Sequence, residues 1–326
     1  MSSLDPVILS EVKKIQKAQS NVTPEAGAWP VDKIDILLSS QSYTVPESGT
    51  YRILVVGGGG SGGRWPSGQV TGGGAGGFRY AEVALTVGQI LTATIGAGGA
   101  SVSTDAAGVS GGKSRLQLVG TGMDMIANGG GGGNASATSA ATMTGGDGGT
   151  ATGSSGSTLV GRDVSNTGGS GGNKTGNSTG YQATGGGGVN YYGRPTNGGD
   201  STGTGSATAY TGGGGVGGHV LDNSTFGGGA GGESTLLVPG HGLGTAGTIF
   251  NLSGRGVGSA SGYAEDGGGG GGASQGFPSG GGGGAGGGGG GGSIGGSGKL
   301  GGGGGAGTTY YSGSGGNGFI AIQRIK

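Results

Sequence analysis

Apolar and polar residues alternate in short segments near both ends of the glycine-rich part of the chain. Residues 50–56 are rich in β-branched and aromatic side chains, which favour strands. A similar character recurs in residues 34–38, 41–45, 78–85 and 90–95, and in a shorter candidate at 115–119. Alternation at residues 318–325 indicates one more strand near the end of the sequence. We therefore predict a β-frame in which the C-terminal strand pairs with the early strands.

The first residues of the chain predict a short helix. Asp5 suits its N-cap and Pro6 its first helical position. A heptad-like seam of about two heptads then follows, at Ile8, Val12, Ile15, Gln19 and Val22. This segment forms either a short coiled coil or an amphipathic helix that docks on a neighbouring protein. We predict residues 1–28 to be a helical connector followed by a linker.

Repeated glycine runs separate the spacers between the two ends of the β-frame. Glycine accounts for 101 of the 326 residues, roughly four times its usual share. The runs are consecutive and the chain has only 8 prolines, so the pattern is not that of collagen, which needs glycine at every third residue. A disordered, low-complexity chain is the alternative interpretation. The clearest runs are residues 57–60, 72–77, 129–133, 185–188, 280–292 and 301–307.

A glycine run has no side chains to bury, so it either stays disordered or packs backbone against backbone. The polyproline II helix permits the second arrangement, because its N–H and C=O groups make no internal hydrogen bonds. The predicted fold class is therefore mostly β and irregular, with a β-strand frame that closes a bundle of polyglycine (polyproline II) helices. We assign residues 29–326 to this domain. The frame takes about 34–120 and 318–326, and the glycine lattice with its displayed loops takes about 121–317.

The charge balance and the absence of cysteine exclude several classes of function. Lys+Arg and Asp+Glu both number 16, so the chain lacks the basic excess that binds nucleic acid. It has no cysteine, and no apolar stretch approaches the ~18 residues of a membrane span. We predict no nucleic-acid partner and no membrane insertion. The N-terminus lacks a signal-peptide pattern, so we expect synthesis in the cytoplasm. If the protein acts outside the cell, lysis or a virion must carry it there.

The sequence matches some catalytic motifs only by chance, because its composition is rich in glycine and serine. Residues 59–63 fit G-x-S-x-G, but no helix-forming segment follows them. Residues 112–114 resemble the end of a phosphate-binding loop, yet Ala107 occupies the position of its first glycine. His219 and His241 are too few for a three-ligand zinc site without carboxylate help. We predict no catalytic residue, no metal site and no cofactor.

Aromatic residues in the spacers are the best candidates for binding. A tyrosine ring provides a large, rigid contact area with a polar tip, which suits interfaces. The alternative is that these rings cover the edge of the lattice or pack between chains of an oligomer. We expect Tyr310 and Tyr311, by contrast, to lie near the β-frame and to be structural. The candidates for binding contacts are Trp65, Tyr181, Tyr191, Tyr192, Tyr210 and Tyr263.

Several of these strings together resemble the glycine-rich domains of bacteriophage tail fibres. Residues 43–60, in which a Pro-Glu-Ser-Gly turn precedes a strand and a glycine run, look like the opening of such a domain. Residues 73–82, 85–89 and 95–99 are similar to its continuation, and residues 315–322 to its closing strand. The resemblance covers roughly residues 40–326. The chain is also similar in style to the tip adhesins of T-even-like phages, although its strand-forming frame departs from them.

The resemblance implies attachment of a virion to a bacterial host without catalysis. The implied partner is an outer-membrane protein or a surface glycan, and the N-terminal helix would join other tail-fibre or baseplate proteins. Such fibres are commonly trimeric, so a homotrimer is expected, and the location is the virion tail. The alternatives are a purely structural fibre or tail component, an ice-binding or coat-like protein, and a surface-glycan depolymerase. A depolymerase would use paired carboxylates from among Asp163, Asp200, Asp222, Glu265 and Asp266.

Overall fold

Strands dominate the described part of the chain. The computed structural model describes residues 34–66, 69–136, 142–175, 182–189, 197–201, 209–210 and 287–325. Helical structure in these ranges is one short 3-10 turn, Gly156–Thr158. No helix within them has the length and the apolar content to cross a membrane. The predicted helical connector at residues 1–28 lies outside the described residues.

Sixteen strands follow one another along the described residues. Those of at least four residues are β1 (Ile34–Leu37), β2 (Gln41–Thr44), β3 (Gly49–Val56), β5 (Phe78–Leu85), β6 (Ile90–Thr94), β7 (Ser114–Leu118), β8 (Met123–Ala127), β11 (Ala151–Ser154), β12 (Leu159–Asn166) and β16 (Phe319–Arg324). The two-residue strands are β4 (Gln69–Val70), β9 (Ala135–Ser136), β10 (Thr142–Met143), β13 (Lys174–Thr175), β14 (Gln182–Ala183) and β15 (Ala209–Tyr210).

The C-terminal strand lies inside the first sheet, next to the early strands. This open antiparallel sheet has the order β1-β16-β3-β5-β12. Phe319 lies opposite Val56, and the pairing continues to Arg324 opposite Tyr51. The predicted return of the C-terminal strand is therefore confirmed. The β-branched side chains that predicted β3 fill both faces of the sheet, which explains its continuous burial from Ile53 to Val56.

A second open antiparallel sheet, of order β11-β8-β7-β6-β2, packs face to face on the first. We call the two sheets together the sandwich. Its strands β8, β11 and β12 come from residues that we predicted to belong to the glycine lattice. Alternation in the sequence Met-Asp-Met-Ile-Ala of β8 places Met123, Met125 and Ala127 inward. The core also contains Tyr51, Ile53, Val55, Val83, Leu91, Leu116, Ile320 and Ile322.

Glycine-rich segments continue directly from strands of both sheets at one end of the sandwich. β3 leads into residues 57–66, and residues 71–77 lead back into β5. Residues 312–318 likewise lead into β16. At the far end of these segments lie the short strands, in a sheet of order β15-β14-β4-β9 and in the pair β10-β13. The strands therefore set the starting position of each glycine-rich segment.

Hydrogen bonds join the glycine-rich segments at intervals of three residues. Residues 57–64 donate N–H groups to three neighbouring segments, at donor–acceptor distances of 2.8–3.1 Å. Every third residue donates to the same neighbour. Gly57, Gly60 and Gly63 donate to the carbonyls of Gly77, Gly74 and Thr71; Gly58, Ser61 and Arg64 donate to those of Gly112, Val109 and Ala106; Gly59 and Gly62 donate to those of Gly316 and Gly313.

The carbonyl groups of the same stretch accept hydrogen bonds from three further segments. Gly130 and Gly133 donate to Gly58 and Ser61, again three residues apart. The same spacing recurs where Gly304 and Gly307 donate to Gly60 and Gly63, and Gly99 donates to Gly59. The stretch is thus surrounded by six backbone segments. Most of its N–H and C=O groups are satisfied by other backbone groups, as buried peptide groups require.

The described molecule has two distinct ends. At the base end, Ile34 pairs with Gln323 and the N–H group of Ile325 donates to Thr50. Both ends of the described chain therefore leave the sandwich on the side away from the glycine-rich segments. We call the opposite end, where the short strands lie, the distal face.

Candidate functional site

The distal face carries the ends of the segments that flank several spacers. β9 precedes residues 137–141 and β10 follows them. β13 and β14 flank residues 176–181 in the same way, and Ser201 and β15 flank residues 202–208. Three spacers therefore connect segments whose described ends all lie on this face.

Arg64 is fixed at the distal face by both backbone and side chain. Its backbone forms an antiparallel bridge with Ala106 and a parallel bridge with Gly307. One terminal nitrogen, Nη1, forms an ion pair with Asp105, and Nη2 donates to the carbonyl of Thr309 at 2.6 Å. Arg64 therefore connects three chain segments at this face, and the charge of its guanidinium is balanced by Asp105.

Trp65 lies beside Arg64 and is half-buried. Its ring packs against a small apolar cluster of Val70, Ala183 and Ala306. The backbone N–H group of Trp65 donates to the carbonyl of Gly307 at 3.3 Å. Trp65 thus covers an edge of the glycine-rich segments and stays partly exposed at the distal face. Its contact with a receptor stays a prediction.

The other predicted contact residues can be placed only in part. The backbone of Tyr210 lies in β15, parallel to β14 at the distal face. The remaining candidates lie outside the described residues, and they are Tyr181, Tyr191, Tyr192 and Tyr263.

Tyr310 and Tyr311 occupy a different place from the one predicted. They are exposed by 58% and 48% and lie at the distal face, next to the carbonyl of Thr309 that binds Arg64. Our placement of this pair near the β-frame is wrong. Residues 312–318 run antiparallel to residues 59–62 and carry the chain along the glycine-rich region before β16 begins. Proximity to β16 in sequence therefore does not mean proximity in space.

A buried lysine near the distal face was missed by the sequence analysis. Lys174 is fully buried. Its backbone lies opposite that of Met143 in the antiparallel pair of β10 and β13. Burial lowers the pKa of its ammonium group. The neighbouring N–H group of Asn173 donates to Oδ1 of Asp200 at 2.6 Å. A single lysine among Asn, Thr and Gly gives no pattern from which its burial could be predicted.

The residues of the two spurious motifs serve the backbone network. Ser61, at the centre of the G-x-S-x-G match, is fully buried and its Oγ accepts the N–H group of Val109 at 2.8 Å. Ser114 is equally buried, and its Oγ accepts the N–H group of Gly96 at 3.0 Å. Neither hydroxyl is accessible to a substrate.

The most perturbed ionisable groups lie in the sandwich. Tyr80 donates to Oε1 of Glu82 at 2.8 Å, and Arg52 donates to the same atom at 3.3 Å. Burial, reinforced by Glu82, raises the pKa of Tyr80. Burial also opposes ionisation of Glu82, but hydrogen bonds from Tyr80, Arg162 and Arg52 outweigh it and lower the pKa of that carboxyl. Since these partners satisfy one another, the cluster holds β3, β5 and β12 together.

The carboxylates considered for catalysis are hydrogen-bonded within the chain, as Asp163 and Asp200 are, or lie outside the described residues. Asp163 binds Arg79 at 2.8 Å and Ser155 at 3.0 Å within the sandwich. Where the structure describes the chain, no three residues among His, Cys, Asp and Glu lie close enough together to hold a metal ion. The two histidines and the remaining acidic candidates fall elsewhere, namely His219, His241, Asp222, Glu265 and Asp266.

Comparison with protein families agrees with the glycine-rich composition. The family described as "Glycine-rich domain" matches residues 37–286, which begin in β1 and contain fifteen of the sixteen strands at least in part. A comparison with curated proteins gave no match. Because the family match spans most of the sequence, the chain belongs to the glycine-rich domain family.

Proposed function

We propose that this protein is a phage tail-fibre or tail-tip receptor-binding protein, which attaches the virion to a bacterial surface by non-catalytic contacts. The observation that carries the proposal is the separation of its two ends. The described chain enters and leaves at the base end, whereas the segments flanking three spacers end at the distal face. An attachment protein needs this separation, because one end binds the virion and the other reaches the host.

The glycine-rich segments serve in this proposal as a rigid bundle of polyglycine helices. A polyproline II helix has three residues per turn, so residues three apart face the same neighbour. The hydrogen bonds of residues 57–64 repeat at that interval on three sides, which supports such a bundle. Seven residues at ~3.1 Å each would hold the distal face roughly 20 Å above the sandwich.

A rigid support favours binding by polar spacers. Ordering a loop at the moment of binding costs free energy, and a loop fixed at both ends has less freedom to lose. The distal segments meet this condition, since Thr175 and Ser201, which precede two of the spacers, are joined by a backbone hydrogen bond of 2.8 Å. Several weak contacts on one face, or on three chains of a homotrimer, would then add by avidity.

The base end is the side on which virion contacts belong in this proposal. Residues 1–28 precede β1, whose first residue lies at that end. The predicted helix would there join other tail-fibre or baseplate proteins. This arrangement leaves the distal face free for a surface receptor, which is an outer-membrane protein or a glycan.

The test is binding of the fluorescently labelled full chain to a panel of live bacterial strains. A matched variant replaces residues 137–141, 176–181 and 202–208 with Gly-Ser sequences of equal length. We expect staining of particular strains by the unchanged chain and its loss or a large reduction in the variant. Thermal unfolding of both proteins serves as the control, and the two midpoints should agree within a few degrees.

Two outcomes would contradict the proposal. If the unchanged chain stained none of the strains, a structural role in the virion would be favoured. Release of reducing sugar from surface glycans, lost when a single carboxylate is neutralised, would instead indicate a depolymerase.

A further inference from the structure

Two adjacent tyrosines are held rigidly at the distal face with their side chains exposed. The N–H group of Tyr310 donates to the carbonyl of Ser293 at 3.2 Å, and the carbonyl of Tyr311 accepts the N–H group of Gly295 at 3.0 Å. Their exposed fractions of 58% and 48% are high for aromatic side chains in this molecule, where Tyr51 and Tyr80 are both 1% exposed. The backbone beneath the two rings is therefore ordered before any ligand binds.

The surroundings of this pair are polar and locally neutral. Arg64 reaches Thr309, the residue before Tyr310, and is paired with Asp105. The turn that contains Asp105 lies close to the tyrosines, because Val102 donates its N–H group to Oγ of Ser312 at 2.9 Å. Three exposed residues of these two segments carry hydroxyl groups, namely Ser103, Thr104 and Thr309.

We propose that Tyr310 and Tyr311, together with the turn at residues 103–105, form a contact site for an uncharged sugar of a bacterial surface glycan. The proposal rests on the receptor-binding function proposed above and names the class of receptor for one part of the distal face. The rings would stack on the C–H face of a sugar, since aromatic rings combine apolar area with a polar tip. The neighbouring hydroxyls can both donate and accept hydrogen bonds with the sugar's hydroxyl groups.

The local charge favours an uncharged ligand over an anionic one. An anionic polymer calls for cationic groups with charge to spare, whereas Asp105 balances Arg64 at this site. An uncharged sugar needs no charged partner, and hydroxyl groups can supply its hydrogen bonds. A protein receptor, whose contact residues are desolvated on binding, is distinguished from a sugar by protease treatment of the bacteria.

The test compares binding of three full-length variants with that of the unchanged chain on a strain that the chain stains. Y310S/Y311S removes both rings, and Y310F/Y311F keeps the stacking area. V119S changes a residue that is 80% exposed in the turn between β7 and β8 at the base end. We expect Y310S/Y311S to weaken binding at least about tenfold, as for a contact hot spot. Y310F/Y311F should retain most binding and V119S all of it.

Treatment of the bacteria separates the receptor classes. Mild periodate oxidation, which cleaves vicinal diols of sugars, should abolish staining by the unchanged chain, and protease treatment should leave it intact. Undiminished binding of a stably folded Y310S/Y311S, or staining that survives periodate but not protease, would overturn the sugar site. The receptor-binding function would stand in both cases. If the unchanged chain stained no strain at all, the receptor-binding function itself would fail.

Discussion

At the scale of the residue, the runs require glycine because neighbouring backbones lie too close together for a side chain. A Cβ atom built on Gly60, Gly130 or Gly303 would lie less than 3.0 Å from a carbonyl oxygen of another segment. Those atoms belong to the backbone, so they cannot move aside as a flexible side chain would. Ser61 is a non-glycine residue among these segments, and its side chain takes part in the network, since its Oγ accepts the N–H group of Val109.

Substituting alanine at two adjacent glycines tests this explanation. In G130A the new Cβ would overlap the carbonyl of Gly74, whereas in G131A its nearest neighbour is the nitrogen of Asp147, at 3.0 Å. We expect G130A to lower the free energy of unfolding by about 1–3 kcal/mol. In G131A the clash is smaller. Alanine also lowers the conformational entropy of the unfolded chain, which offsets much of the cost of the clash, so we expect the free energy of unfolding to change by less than about 1 kcal/mol.

Chemical denaturation of both variants would measure the difference. The two positions lie in one run, so composition and helix or strand propensity are matched. Equal destabilisation would show that the close approach of backbones at Gly130 does not control stability.

At the scale of the element, the closing strand is the part of the fold that depends most on distant sequence. β16 lies between β1 and β3, although more than 250 residues separate it from β3 along the chain. Ile320 and Ile322 face the core between the two sheets. The sandwich thus cannot be completed until the whole glycine-rich region has been traversed.

Truncation of an apolar side chain in β16 should therefore affect the entire molecule. Ile322 is 1% exposed, and we expect I322A to cost about 2–5 kcal/mol of the free energy of unfolding. The control is V119A at the exposed base-end position, which should change stability by less than about 0.5 kcal/mol. Circular dichroism melts would compare the two variants, and a stability of I322A equal to that of V119A would contradict the placement of β16 in the core.

At the scale of the whole molecule, the sandwich and the glycine-rich segments form one connected structure. Strands continue into segments without an intervening linker, and the segments bond one another on several sides. Leu54 and Val56 on the outer face of the first sheet also pack against Val189 and Leu300 from the glycine-rich region. We therefore expect a single cooperative unfolding transition.

Hydrogen exchange of the glycine amides would test this connection directly. The N–H groups of Gly57, Gly60 and Gly74 donate to backbone carbonyls at 2.8–3.0 Å, so they should exchange as slowly as the amides of β3. The N–H group of Gln89, in the turn before β6 at the base end, donates to the carbonyl of Thr86 within that turn and serves as the internal comparison. Exchange of the run amides at the rate of an unstructured peptide would contradict both the bundle and the cooperativity.

The sequence predicted the strands with a strong apolar pattern, but it did not predict the weaker strands or the residues that lie at the distal face. The strong β-branched pattern of β3 and the alternation of β16 identified both strands and their pairing from sequence. Strands β8, β11 and β12 were missed because methionine, glycine and polar residues weaken their pattern, although packing against the first sheet stabilises them. The distal position of Tyr310 and Tyr311 could not be read from sequence either, since it depends on the direction of residues 312–318.

The sequence by itself determined the class of the protein: glycine-rich, mostly β, without charge excess or cysteine, and closed by a C-terminal strand. These properties follow from composition and short-range alternation, which act locally. The tertiary structure alone decided which glycine segment neighbours which, and therefore which spacers and tyrosines share the distal face. Glycine runs are nearly identical to one another in sequence, so their neighbours are selected by the strands that precede and follow them.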